Sequence, residues 1–450
     1  MAKYHFIAIG GIGMSGLAKY LLESGHSVSG SDIQDSKYVE ALRQLGADIH
    51  IGHNEENLSE EVDAIIVSTA IRDSNPELVK ARNLSMKIYH RSDLLKEIAE
   101  YAQTDNKCFI GFAGTHGKTT TSGMTSFILE KAGLEPSFIV GGIVPELLIN
   151  AQCKDGKFFI AELDESDGTL VKYHPDILVI NNLEEDHLDF YKNGMDDILR
   201  VFNQAILQAK KVIVNADDKG VKNLKGNFIT FGLENADYLA KNIRNLKTGT
   251  IFDIYYKNEY LTSIYIPLSG THNIYNTLAV VSALTEAGLT VDCKKDFFSE
   301  FTGMGRRFQK VCEINGIAVY DDYAHHPTEI KAVLEGASLK YGKENIVVVF
   351  QPHRYTRLKA LWDEFKSSFH NAERVVVTDV YSASEDIING IDGKSFAQEI
   401  GAEYISGSIS DVAKKLLPTL ENHNIVIGLG AGTITTLGKY LEEHSIASRV

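Results

Sequence analysis

Cysteine is scarce: the four in 450 residues, at positions 108, 153, 293 and 312, lie far apart and form no Cys-x-x-Cys pair. That spacing speaks against a disulfide framework and against a cysteine zinc site. No apolar run is long enough to span a bilayer. The opening Met-Ala-Lys-Tyr-His-Phe-Ile-Ala-Ile-Gly has neither the apolar core nor the small-residue cleavage site of a secretory signal. A cytoplasmic protein without membrane insertion is expected. Positive charge is in deficit, with 45 Lys and Arg against 60 Asp and Glu and a net charge of −15. This argues against general binding of nucleic acid or anionic membranes, which needs excess cations. A small anionic substrate needs only a local group of them. Low-complexity segments and fixed-period repeats are also missing. What remains is an ordinary globular composition, 44% hydrophobic and 23% charged, with length for about three domains.

The stretch that organises the rest is Gly111-Phe112-Ala113-Gly114-Thr115-His116-Gly117-Lys118-Thr119-Thr120-Thr121. It follows the apolar run Cys108-Phe109-Ile110 and opens a helical pattern carrying Met124, Phe127 and Ile128, with Gly133 as its stop. Strand, glycine turn, Lys-Thr and helix together make a phosphate-binding loop. Its N–H groups and helix start face an anion, Lys118 adds a full charge, and the Thr119 hydroxyl suits a magnesium ion. The common pattern needs a glycine where Phe112 stands, so Gly-Thr-His-Gly-Lys-Thr-Thr is a narrower signature.

Upstream, Gly11, Gly13 and Gly16 fit G-x-G-x-x-G after a first strand, and Asp32 ends the next. The motif is a weak signal for NAD and a fair one for some pyrophosphate on a helix N-terminus. Gln103 to Lys107 is the first boundary. Beyond the phosphate loop, a strand delivers Glu162 at its carboxyl end, with Asp164, Glu165 and Asp167 behind it. The next strand leads into Asn181 to His187. These groups read as a magnesium site beside the phosphates or as a solvated acidic loop. Residues 226 to 267 read as a small antiparallel section. Asn273 and Asn276, three apart on a helix start, face one ligand or cap the helix. Thr302 to Phe308 is the second boundary. Two polar clusters follow at strand ends, Asp321 to Pro327 and Gln351 to Arg357, where open α/β sheets place their ligands. The expected fold is α/β in three domains. Residues 1–104 are Rossmann-like, 105–302 form a central P-loop-type ATPase sheet with a small antiparallel section, and 303–450 are Rossmann-like again.

Together these motifs resemble the Mur ligases, cytoplasmic enzymes that build the peptidoglycan peptide. Gly114 to Thr120 resembles the family's ATP loop, and Asn182 to His187, with Asp189 and Tyr191, its metal-binding turn. His272-Asn273 to Asn276 is similar to the adenine-contacting helix start, and Gly305-Arg306-Arg307-Phe308 to the hinge before the last domain. Three further runs, Gly10 to Gly16, Asp321 to Glu329 and Phe350 to Arg357, resemble the branch that adds L-alanine to UDP-N-acetylmuramate. The alternative branch joins a preformed tripeptide to the same sugar nucleotide. One departure stands out: several members carry a carbamylated lysine about fifteen residues past the metal-binding histidine, and here no lysine lies between Lys192 and Lys210.

The resemblance implies ATP and Mg²⁺ (or Mn²⁺) as cofactors, and an acyl phosphate on the sugar's lactyl carboxylate that the amine of L-alanine then attacks. Gly114, Thr115, His116, Gly117, Lys118, Thr119, Thr120, Asn273, Asn276, Arg307 and Asp322 would hold ATP. Thr119, Glu162 and His187 would hold metal. Gly11, Gly13, Gly16 and Asp32 would bind the UDP sugar, and Tyr323, His325, Arg354 and Arg357 the L-alanine and acyl-phosphate side. Lys118, His187, His325 and Arg354 carry the catalytic expectation, with His325 helping the amine lose its proton. Closure of the third domain on binding and a monomer or homodimer are expected. Two other classes stay open: a nicotinamide-dependent dehydrogenase built on the first glycines, and a nucleotide-binding regulatory protein without chemistry.

Overall fold

The computed structural model describes residues 1–188, 190–291, 295–383, 385–421 and 425–447; Asp189 and Cys293 lie outside them. Three sheets carry the three-domain α/β architecture. The first is wholly parallel, in the order Asp48–Ile51, Ser27–Asp32, Lys3–Ile7, Ala64–Val67, Ile88–His90. The second has ten strands. At its centre Ile177–Ile180, Cys108–Ala113 and Phe158–Glu162 run parallel, and Ile149–Gln152 forms one edge. The third orders Gln309–Ile314, Ile317–Asp322, Ile425–Leu429, Ile346–Phe350, Arg374–Val377 and Glu403–Tyr404, with only its first pair antiparallel. No helix among the described residues is long and apolar enough to cross a membrane.

The central strands read as unbroken apolar runs because both faces are covered. Alternate residues of Ile346–Phe350 show how. Val348 and Phe350 enter one core cluster, Val347 and Val349 the other, and all are buried. The section expected around 226 to 267 forms Tyr238–Leu246, Gly249–Tyr256 and Glu259–Ile266, side by side in chain order. Two-residue connections allow only hairpins there. In the second, Lys257 and Asn258 take φ of +49° and +69°, as a turn matched to strand twist requires. One hairpin escapes the sequence reading: Ser137–Val144 pairs antiparallel with Ile149–Gln152, and Gly141-Gly142 interrupts its apolar pattern. After the second polar cluster the chain forms two short helices, Tyr355–Ala360 and Trp362–Lys366.

The chain divides into two compact units. One comprises Met1–Asn242, Phe252–Ile264 and Tyr275–Phe301; the other comprises Ile243–Ile251, Tyr265–Ile274 and Thr302–Val450. The first sheet and the parallel part of the second therefore belong to one body, although a polar segment separates them in sequence. That segment is tied down: Gln103 Nε2 donates to His174 O at 2.9 Å, and Lys107 is buried with Nζ on Ser137 Oγ at 3.3 Å. A single core cluster holds Phe6, Leu17, Phe109 and Phe159, and the Tyr20 ring meets Phe159 edge-on at 6.0 Å.

The joint is the helix Ile12–Glu23 against the edge hairpin. Asn150 Nδ2 donates to Ile12 O at 2.8 Å. A Cβ on Gly16 would lie 3.0 Å from Asn150 Nδ2 and 3.6 Å from Ala151 Cβ. The third glycine of the fingerprint thus serves close packing between sheets. Gly16→Val should destabilise the first unit by about 2 kcal/mol through overpacking, measured as a lowered urea midpoint. An unchanged midpoint would show that the joint yields freely.

Candidate functional site

Three neighbouring strand ends deliver the chemistry of the first unit. From Ala113 the chain turns through Gly114 and Gly117, at φ of +124° and +83°, into the helix Lys118–Lys131. Those angles favour glycine, and the approach is close as well, since a Cβ at 114 would lie 2.8 Å from Asn182 O. Asn182 braces the turn. Its Oδ1 accepts from His116 N at 2.7 Å, its Nδ2 donates to His116 O at 3.1 Å, and its carbonyl accepts from Thr115 N at 3.1 Å. No side chain caps the helix at Gly117, so its first amides suit an anion. A Cβ on Gly117 would come 2.6 Å from Asn276 Oδ1, which puts one of the two expected amides beside the loop. Asn273, one turn earlier in Thr271–Glu286, donates from Nδ2 to Ser269 O at 2.9 Å.

Lys118 is folded onto its own loop. Its Nζ donates to Gly114 O at 2.6 Å and Thr115 O at 3.2 Å, and meets the two Glu165 oxygens at 2.9 and 2.8 Å. Burial pushes the Glu165 carboxyl up to about 7, against the pull of Lys118. Burial also works against the Lys118 ammonium, but Glu165, Asp164 and Glu162 overcome it and hold its pKa above the ordinary value. The preceding residue turns the other way: Asp164 pairs with Arg91. Burial opposes its charge, yet Arg91 and then Lys118 hold it well below the usual carboxylate range. Sequence reasoning missed Arg91, an isolated cation at a helix start with no motif to mark it.

Of the expected metal ligands, Thr119 is half-buried in the first helical turn. Glu162 lies across from Phe112 and accepts from Gly141 N at 2.9 Å. His187 has a left-handed φ of +54°, a conformation that non-glycine residues rarely adopt, and its ring lies 3.6 Å from Asp186. A hydroxyl, a carboxylate and an imidazole are donors that suit Mg²⁺ or Mn²⁺. Glu162 also lines a cleft with Gly13, Arg91, Asp164 and Tyr173. The start of the Ile12–Glu23 helix therefore opens onto the acidic strand end. Asp32, expected to bind the UDP sugar, also shapes the glycine loop: its two oxygens accept from Gly10 N at 2.8 Å and Gln34 N at 3.0 Å.

The second unit gathers the remaining residues at the ends of Ile317–Asp322 and Ile346–Phe350. Arg306 and Arg307 lie over the Tyr323 ring at 4.9 and 5.4 Å, and Arg307 pairs with Glu329 at 3.3 Å. Asp322 accepts from Phe308 N at 2.6 Å and Ala324 N at 2.7 Å, and burial raises its carboxyl to about 6 despite Arg307. His325 and His353 rings stand 5.7 Å apart, and His353 stacks on Tyr381. Arg357 reaches His353 Nδ1 at 3.3 Å, and Arg354, at φ +71°, pairs with Glu385 at 2.6 Å. His353 and Glu385 are additions to the expected set. His353 lay within the quoted motif; Glu385 carried no signal.

Burial keeps these histidines neutral. It pushes His325 down to about 3, and His353 and His272 to about 4, with Arg357 or Arg307 adding to the effect. His325 Nδ1 lies 2.9 Å from Tyr323 O. A carbonyl only accepts, so Nδ1 carries the proton and Nε2 keeps its lone pair. The same burial makes His325 a weak proton acceptor: Nε2 can receive an N–H but does not hold a proton at neutral pH.

A stability profile follows from these groups. Each lowered histidine takes up its proton in the unfolded chain first, near pH 6.5, so stability is lost as pH falls below that value. Asp322, raised in the folded state, works oppositely between about 6 and 3.8. Three protons against one leave about 3 kcal/mol lost per pH unit between pH 6 and 4 from these four groups. Trp362, the single tryptophan, lies in this unit against Phe396. Its fluorescence in urea should report a steep loss below pH 6, and a flat profile from 6.5 to 4.5 would reject the buried neutral histidines.

Comparison with known proteins agrees along the whole chain. Residues 3–103 match the Mur ligase family catalytic domain, 112–284 the Mur ligase middle domain, and 306–432 the Mur ligase glutamate ligase domain. The UDP-N-acetylmuramate–L-alanine ligase of Geotalea daltonii is 39% identical, covering 98% of this chain and 97% of its own. That of Carboxydothermus hydrogenoformans is also 39% identical, at 97% and 96%. The crystal structure of UDP-N-acetylmuramate-alanine ligase from Thermotoga maritima superposes with a TM-score of 0.85 at 29% identity, covering 100% of both chains. The murein peptide ligase of Psychrobacter arcticus shares the fold, with a TM-score of 0.73 at 21% identity and 99% of both chains covered. With its three sheets, its braced phosphate loop and these full-length relatives, the chain belongs to the Mur ligase family.

Proposed function

We propose that this chain joins L-alanine to UDP-N-acetylmuramate at the expense of ATP, an amide-forming ligation that supplies the first residue of the peptidoglycan peptide. The observation that carries this reading is full-length likeness to relatives bearing that activity in their names, together with a phosphate loop, an acidic strand end and a cleft within one compact unit. The sugar nucleotide would enter along that cleft, with its diphosphate at the Gly11–Gly16 helix start and its carboxylate toward Glu162. ATP would lie on the Gly114–Thr120 amides with its adenine toward Asn273 and Asn276, and Arg307 and Asp322 would act from the second unit.

In the first step the lactyl carboxylate attacks the γ-phosphorus, the bond to the β-phosphate oxygen breaks, and ADP leaves an acyl phosphate. Such a transfer needs positioning and charge neutralisation more than covalent chemistry, and Lys118 would supply the cation at the β/γ-phosphates. Thr119, Glu162 and His187 would hold Mg²⁺ or Mn²⁺, whose charge offsets the meeting of two anions. In the second step the alanine amine attacks the acyl carbon, the C–O bond to phosphate breaks in the tetrahedral intermediate, and the leaving phosphate takes up the proton that the amine gives up. His325 Nε2 would accept an N–H of the neutral amine and aim its lone pair. Arg354 and Arg357 would bear on the developing oxyanion and the phosphate.

Phosphate release from ATP should depend on both UDP-N-acetylmuramate and L-alanine. Release with the alanyl tripeptide in place of alanine would instead assign the tripeptide-joining branch. Lys118→Ala should lower kcat at least about 100-fold, as removal of a preorganised charge does. His325→Ala should lower kcat about tenfold with little change in the KM for ATP. Because His325 stays neutral above pH 5, the acid limb of the rate profile should follow the amine and be unchanged in the variant; a limb shifted by the substitution would restore His325 as the titrating base.

A further inference from the structure

Lys118 has three N–H donors, and its partners number at least as many. Gly114 O and Thr115 O take two, and the Glu165 carboxylate faces the ammonium with both oxygens. A phosphate can gain this ammonium only if a present partner yields. The two carbonyls belong to the loop that must keep its shape around the anion. Glu165 is the anionic partner, and phosphate for carboxylate is an exchange of like for like.

The Glu165 turn is itself held in place. The Glu165 carbonyl accepts from Gly168 N at 3.0 Å and from the buried Tyr191 hydroxyl. Asp164 Oδ1 accepts from Ser166 N at 3.0 Å, while its other oxygen pairs with Arg91. With backbone and neighbour both fixed, only the Glu165 side chain and Lys118 are left to rearrange. The side chains of Lys118 and Glu165 are 12% and 5% exposed, so water does little to screen their attraction.

We propose that Glu165 is a positioning residue of the nucleotide site: it stores Lys118 against its own loop, competes with nucleotide phosphates for the ammonium, and hands the lysine over as they bind. The proposal rests on reading this loop as the ATP site. It gives Glu165 two opposed effects, weakening nucleotide binding while keeping Lys118 pre-aimed for the transfer.

The test measures the Kd of ADP by calorimetry, and kcat, for the full chain and its Glu165→Gln variant. The amide keeps the shape and removes the charge. ADP should bind about fivefold more tightly, while kcat falls. Binding and turnover moving in opposite directions is not what damage to the fold produces, since that weakens both. Unchanged or weaker ADP binding in a variant with unaltered melting would overturn the proposal. Should the variant fail to fold, a crystal structure of the wild-type chain with ADP decides. A phosphate oxygen on Lys118 Nζ, with Glu165 beyond about 4 Å, supports the exchange. Both Glu165 contacts retained beside bound phosphate overturn it. If the wild-type chain binds no ADP at all, it is the ATP-site reading that fails.

Discussion

A phosphate-binding turn is a demanding object: its amides must converge on a space left for an anion, and something must hold that convergence in place. Here one side chain from a neighbouring strand end does so. Asn182 spans the turn from donor to acceptor, while its own carbonyl takes a further loop amide. The brace depends on the parallel register of Ile177–Ile180 with Cys108–Ala113, and that register depends on a core buried on both faces. Sheet packing thus fixes the loop, and the loop fixes where charge can be delivered.

The next constraint is charge. Two consecutive acids, Asp164 and Glu165, meet two cations from different parts of the chain, Arg91 and Lys118. Buried ion pairs contribute little net stability, because desolvation consumes most of the attraction. Their value lies in orientation. One short turn faces both the cleft beside Gly13 and the phosphate loop, and its two charges are each answered from one side. The second unit reaches a similar end by a different route, with neutral histidines and arginines stacked over Tyr323 and paired to Glu329 and Glu385.

Much of this was legible in advance, for identifiable reasons. The phosphate loop, Glu162 and the two strand-end clusters sit where apolar runs stop and polar residues crowd, and that junction can be read without a structure. Resemblance to a family supplied roles, and the full-length relatives agree with it. What stayed hidden depends on contacts between distant segments. Arg91 stands alone in sequence and gains meaning only from Asp164, 73 residues on. Glu385 is one acid among many until Arg354 meets it. The Ser137–Val144 hairpin was obscured because Gly141, needed for close approach to Glu162, breaks the pattern that announces a strand. Protonation was hidden for the same reason, since burial, which sequence does not show, makes His325 a weak base.

The fingerprint near the N-terminus carries a last consequence. In a dinucleotide-binding enzyme the third glycine lets a helix settle on its own sheet; here Gly16 lets that helix settle on the sheet of the following domain. The same three letters therefore record a marriage of two modules, and selection at position 16 would persist through any change of ligand. A search that reads the motif as a nucleotide signature alone would credit the ligand with a residue that belongs to the architecture. The two outer glycines of such a motif can answer to different masters.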